Sequence, residues 1–118
     1  MIWIGDVLVS QGEGGVYNER ILGGARVWDP HRSKLSAFYH VGTGIELTPG
    51  MRVLYLGAAN GTTVSHVADY VEVVYAVEFA PRPMQDLLEV SRRRKNVIPI
   101  MADATRPEQY APLVEAVD

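Results

Sequence analysis

The sequence contains no cysteine among its 118 residues. That excludes a disulfide framework, a thiolate metal site and a cysteine nucleophile, and a cytoplasmic protein is the simplest expectation. No run approaches the roughly 18 uninterrupted apolar residues that a membrane-crossing helix needs. The N-terminus has no basic stretch leading into an apolar one, so neither secretion nor membrane insertion is expected. The three histidines, His31, His40 and His66, lack metal-ligand spacing. Positive charge is also scarce, with 14 acids against 11 bases and a formal charge of −3. A self-sufficient nucleic-acid binder carries a broad positive field, so any RNA used here needs other help. What is present, 47% hydrophobic and 21% charged residues, suits an ordinary folded chain with room for one core.

The acidity lies in the second half: residues 1–60 hold five acids and five bases, residues 61–118 nine acids and six bases. Two extended runs, Ile2 to Ser10 and Val16 to Leu22, are joined by Gln11-Gly12-Glu13-Gly14-Gly15 and closed by Gly23-Gly24, which predicts a small antiparallel module over 1–28. Asp29-Pro30 breaks the chain. Ser33 can cap a helix whose Leu35, Phe38, Tyr39 and Gly42 recur at i, i+3, i+4 and i+7, with Lys34 at its start. After the turn Thr48-Pro49-Gly50, strands and helices alternate. The runs Arg52 to Leu56, Val73 to Glu78 and Val97 to Met101 have the length and β-branching of buried parallel strands. Helical spacing marks Val64, Val67, Ala68 and Val71, then Met84, Leu87, Leu88 and Ser91, then Tyr110, Leu113, Val114 and Val117. The expectation is an α/β sheet with right-handed crossovers over 29–118.

The strand Val53 to Leu56 runs into Gly57-Ala58-Ala59-Asn60-Gly61-Thr62-Thr63, a small-residue turn that opens a helix. Small residues let a ligand approach backbone amides, and a helix start adds N–H donors, as in nucleotide cradles. Asn60 tolerates the left-handed conformation such turns use. Glu78 ends the next strand 21 residues after Gly57, where an acid can bind both hydroxyls of an adenosine ribose. Asp103 ends the third strand, within reach of the adenine. Ala59 and Asn60 break the GxGxxG dinucleotide fingerprint, which disfavours NAD and leaves S-adenosylmethionine as the better candidate.

Arg26 to Leu35, Val53 to Val67, Tyr75 to Arg82 and Asn96 to Ala104, in that order, resemble the fibrillarin family, specifically archaeal fibrillarin-like RNA 2′-O-methyltransferases. The resemblance runs from about Tyr17 to the last residue, and no glycine-arginine-rich extension precedes it. It implies a Rossmann-like class I S-adenosylmethionine-dependent methyltransferase fold, of which this chain holds the first half of the doubly wound sheet, truncated before the fourth strand. It also implies methylation of a ribose 2′-hydroxyl of ribosomal or transfer RNA within a box C/D guide ribonucleoprotein. The partners implied are guide and substrate RNA, a coiled-coil scaffold protein that docks the enzyme, and a kink-turn-binding, ribosomal-protein-like subunit. By the same resemblance Gly57, Ala58, Gly61, Thr62 and Thr63 hold the methionine end of the cofactor, the two threonines reaching its carboxylate. Glu78 takes the ribose, Phe79 lies against the adenine, and Asp103 with Ala104 reads the adenine edge. Lys34 matches the first lysine of a Lys-Asp-Lys-His catalytic constellation whose other members have no match here.

Two rival readings remain at this level: a noncatalytic S-adenosylmethionine-binding or assembly module, and an adenosine-nucleotide-binding oxidoreductase. Arg92-Arg93-Arg94-Lys95 reads as a helix-end basic run and Trp28 as packing for the N-terminal module. With its fourth strand absent, the Arg52 to Leu56 strand is expected to be an open apolar edge that makes the isolated chain self-associate.

Overall fold

The computed structural model describes all 118 residues. The first sheet is antiparallel and has four strands, β1 (Ile2–Ile4), β2 (Val7–Ser10), β3 (Ile21–Leu22) and β4 (Ala25–Val27), in the order β1-β2-β4-β3. The sequence predicts two long strands paired across residues 11–15; the structure breaks both. Ile4 pairs with Val7 across a two-residue turn in which Gly5 has φ +62°, so the first run is itself a hairpin. Gly23 and Gly24, at φ +58° and +79°, form the second hairpin turn rather than the end of the module, and they add β4. Residues 16–20 stay out of the sheet because the Glu19 carboxylate accepts the Val16 and Tyr17 amides, which a strand would give to its neighbour.

The helix α1 (Lys34–His40) starts as expected, with Ser33 as N-cap. Phe38 departs from the predicted inward stripe and is exposed, whereas Tyr39 is buried. The second sheet is parallel, with β5 (Arg52–Leu56), β6 (Val73–Glu78) and β7 (Val97–Met101) in the order β5-β6-β7. Helix α2 (Thr62–Ala68) follows β5 and α3 (Pro81–Arg93) follows β6. Central β6 is covered on both faces: Val74 and Ala76 join one apolar cluster, Val73, Tyr75 and Val77 the other. The first cluster also contains Leu8, Trp28 and Tyr39, so the antiparallel sheet and the helices of the parallel sheet meet in one core. Trp28 is buried there, stacked on His66 at 5.2 Å between centroids.

The inward face of α3 is Met84, Leu87 and Val90, not Leu88 and Ser91. Val90 reaches the core because Gly61, at φ +84°, lacks a Cβ; one built there would lie 3.0 Å from Val90 Cγ2 and 2.9 Å from Leu87 Cδ1. The helix expected over Tyr110 to Val117 is absent. Two short 3₁₀ turns, Pro107–Gln109 and Ala111–Leu113, take its place, and the chain turns extended at Val114, φ −112° and ψ 123°. Beyond them the Asp118 amide donates to Arg52 O, and the Arg52 amide to Asp118 Oδ2. β5 is the sheet's edge, as expected, but these bonds cover its first residue.

A buried ion network, unforeseen in the sequence, joins the two sheets. The Arg26 guanidinium, fully buried, donates to Asp69 Oδ2 at 2.9 Å, to Ser65 O at 2.9 Å and to Glu19 Oε1. Arg94 donates through Nε to Asp69 Oδ1 at 2.7 Å and through its two other nitrogens to the carbonyls of Glu13 and Gly14. Arg94 is thus removed from the basic run as a surface cation, and Arg92 pairs with Glu89. The Ser10 hydroxyl donates to Asp69 Oδ2, so its contact with His66 Nδ1 at 2.8 Å makes that nitrogen the donor. Burial, with Arg26 nearby, lowers the His66 pKa to about 3.

Candidate functional site

The cleft beside the end of β5 is built by two elements distant in sequence. Arg32, Ser33 and Lys34 line it from the start of α1, and Tyr55, Gly57, Ala58, Ala59, Asn60, Thr62 and Thr63 from β5 and the turn. Its volume is about 530 Å³. Ser33 makes the junction: its Oγ lies 2.8 Å from Thr63 Oγ1 and accepts the Trp28 indole N–H at 2.9 Å. Because Trp28 is anchored in the core, the α1 start that carries Lys34 is fixed against the turn. Tyr17 ties two of the lining residues together from outside, its hydroxyl donating to Asn60 O and its carbonyl accepting from Arg32 at 3.3 Å.

Much of the turn's hydrogen bonding is used by the fold itself. The Gly57 and Ala58 amides both donate to Val77 O at 2.9 Å, and the Ala59 amide donates to Glu78 Oε1 at 2.7 Å. The residue in left-handed backbone is Ala59, φ +51°, between Gly57 at +77° and Gly61 at +84°. Asn60 serves differently from its expected backbone role, since its Oδ1 accepts the Thr62 amide and hydroxyl at 3.2 and 3.1 Å. Nothing lies within 4 Å of where a Gly57 Cβ would stand. The turn therefore offers a bare backbone face at Gly57 to whatever fills the space, the fit expected of a cofactor cradle.

Of the residues singled out in the sequence, Lys34, Gly57, Ala58, Thr62 and Thr63 share the cleft. Gly61 is buried against α3 and does not face it. Glu78, Phe79, Asp103 and Ala104 lie beyond its lining, at the ends of the next two strands. The parallel register sets these ends side by side, pairing Leu56 with Val77 and Glu78 with Met101. Glu78 Oε2 accepts the Phe79 and Ala80 amides at 3.1 and 2.9 Å, so three of a carboxylate's roughly four acceptor positions are filled. Phe79 is 64% exposed, a free ring face beside that carboxylate. The Asp103 carboxyl is held below its ordinary pKa by the Thr105 hydroxyl and amide, both donating to Oδ1, with Arg106 nearby. Arg32, Ser33 and Tyr55 also line the cleft; they lie in the stretches that carry the family resemblance, which assigns them no site role. Ser33 is visible in the sequence only as a helix cap.

The family model described as Fibrillarin matches residues 8–118. A fibrillarin-like rRNA/tRNA 2′-O-methyltransferase of Methanoculleus marisnigri is 79% identical over the whole chain, which covers 59% of that relative. Among solved structures, the fibrillarin of a fibrillarin/Nop5p complex superposes with a TM-score of 0.87 at 46% identity, over 95% of this chain and 55% of that one. Aeropyrum pernix fibrillarin with natively bound S-adenosyl-L-methionine gives 0.84 at 45% identity, over 95% of this chain and 53% of that one. The chain thus spans somewhat over half the length of these relatives. The parallel sheet with its flanking helices is the Rossmann-like class I methyltransferase fold. With a family model matching nearly its whole length, this chain belongs to the fibrillarin family.

Proposed function

We propose that the chain forms the cofactor-binding portion of an S-adenosylmethionine-dependent RNA ribose 2′-O-methyltransferase, working as a catalytic subunit within a box C/D guide ribonucleoprotein. The observation that carries this reading is the cleft in which Lys34 and the glycine turn face the same space. A noncatalytic binding module would need the turn but gives no reason for a lysine there. Gly57, Ala58, Thr62 and Thr63 would hold the methionine end, Glu78 the ribose, and Phe79, Asp103 and Ala104 the adenine. When bound, the cofactor supplies an electrophilic sulfonium methyl.

A ribose 2′-hydroxyl is a weak acid, and transfer requires its proton to leave as its oxygen attacks in line, with the reacting atoms about 3 Å apart. The Lys34 ammonium, with no acidic partner within salt-bridge distance, supplies positive charge that favours the developing alkoxide. Ser33 and Trp28 keep the base of its helix in place. Guide and substrate RNA would be delivered by a coiled-coil scaffold and a kink-turn-binding subunit, which suits a chain with a net charge of −3. In the full-length protein assembled with those partners, Lys34→Ala should lower methyl transfer by about 10²-fold or more while calorimetric cofactor affinity stays within about threefold. Equal loss of both would reassign Lys34 to binding.

A further inference from the structure

Three hydrogen bonds converge on Ser33 Oγ: the Trp28 indole nitrogen at 2.9 Å, the Ser36 amide nitrogen at 3.4 Å and Thr63 Oγ1 at 2.8 Å. Indole and peptide N–H groups can only donate, and a hydroxyl has two lone pairs and one proton. The two N–H groups therefore use both acceptor positions of Ser33. Its proton goes to Thr63 Oγ1, which accepts. Thr63 then keeps its own proton for another partner, and its half-buried side chain lines the cleft. Thr62 is set the other way. Its hydroxyl already donates to Asn60 Oδ1, an atom fixed as oxygen by the Thr62 amide that donates to it.

We propose that Ser33 is a positioning residue that fixes Thr63 as a hydrogen-bond donor into the cleft, so that Thr63, rather than Thr62, selects the carboxylate end of the ligand. This rests on the cofactor reading above, in which the ligand carries an amino-acid carboxylate. The chemistry is one of direction: a carboxylate accepts only, and a threonine whose proton is committed elsewhere can offer it nothing.

The test is calorimetric titration of the full-length protein with S-adenosylmethionine and with 5′-methylthioadenosine, which lacks the amino-acid group. Asn and Asp both serve as N-caps, and thermal melting checks that each variant folds. Ser33→Asn can accept from Trp28 and Ser36 and still donate to Thr63, so it should bind both ligands within about threefold of wild type. Ser33→Asp can only accept, which turns the Thr63 proton inward. It should weaken S-adenosylmethionine by about tenfold or more and 5′-methylthioadenosine by less than about threefold. Thr63→Val separates this from the added charge: in that background Ser33→Asp should cause no further loss. The role of Ser33 is overturned if Ser33→Asp weakens both ligands equally, if its penalty persists in the Thr63→Val background, or if Thr62→Val costs as much as Thr63→Val. A wild type that binds neither ligand overturns the cofactor reading, and this inference with it.

Discussion

Helix α2 begins in an open cleft and ends, two turns later, in a buried ion network. Thr62 and Thr63 at its start are half-buried, and Thr62 is held by a neighbour in the same turn. Ser65, His66 and, just past its end, Asp69 meet Ser10, Arg26 and Arg94, whose side chains come from three other parts of the chain. Both ends are polar, but water can replace a lost partner only at the first. The helix is anchored at one end by charges that cannot be rearranged cheaply, which leaves the other free to be shaped for a ligand.

The sharpest break in that comparison is Asp69→Ala, which leaves the buried Arg94 guanidinium without a carboxylate and Arg26 with Glu19 alone. Loss of one partner of a buried pair costs about 3 to 5 kcal/mol, so urea unfolding should show a chain that is barely folded. At the cleft end, Glu78→Ala should lower cofactor affinity by about 1.5 to 3 kcal/mol by calorimetry without comparable loss of stability, since the Phe79 and Ala80 amides can turn to solvent. An unchanged affinity would remove Glu78 from the ribose.

Proton uptake separates the two ends further. His66 is neutral when folded, with a pKa of about 3, and ordinary when unfolded. In the window between about 6.5 and 3 the unfolded chain binds the extra proton, so stability is complete above that window and falls as the pH is lowered through it. The expected loss is about 2 kcal/mol at pH 5. Melting temperature against pH should show this slope in wild type, and His66→Gln should flatten it between about pH 6.5 and 5. Glu19, raised by burial but held lower overall by the amides of Glu19, Val16 and Tyr17 and by Arg26, adds loss in the same direction at more acid pH. The smallest effect is reserved for the surface: Arg92→Ala breaks an exposed pair with Glu89 and should change stability by less than about 0.5 kcal/mol in the same melts.

Elements whose burial repeats locally can be read from the sequence. β5, β6 and β7 fall on the predicted residues, each a short apolar run, although only β6 is covered on both faces. The turn after β5 is visible through its glycines, although the left-handed residue is Ala59 and not Asn60. The phase of α3 is hidden because it depends on Gly61, 29 residues before Val90. After β7, counting apolar spacing predicts a helix over Tyr110 to Val117, where the chain makes only a 3₁₀ turn and is extended from Val114. For the site, Lys34 and the turn stand out as separate motifs, but their meeting runs through Trp28, Ser33 and Thr63, which no spacing links. The buried network is invisible for the same reason, as Ser10, Glu19, Arg26, Asp69 and Arg94 follow no period.

Arg26 also constrains the order in which the molecule assembles. It meets Asp69 across 43 residues of chain, and Asp69 meets Arg94 across a further 25. The hairpins β1–β2 and β3–β4 close over two residues each and can form early, but burying Arg26 before α2 has arrived would leave it with Glu19 alone and without its bonds to Asp69 and Ser65. The antiparallel sheet is therefore expected to dock late, onto a parallel core already in place. Weakening the network should then accelerate unfolding far more than it slows folding, making it a determinant of how long the folded chain survives.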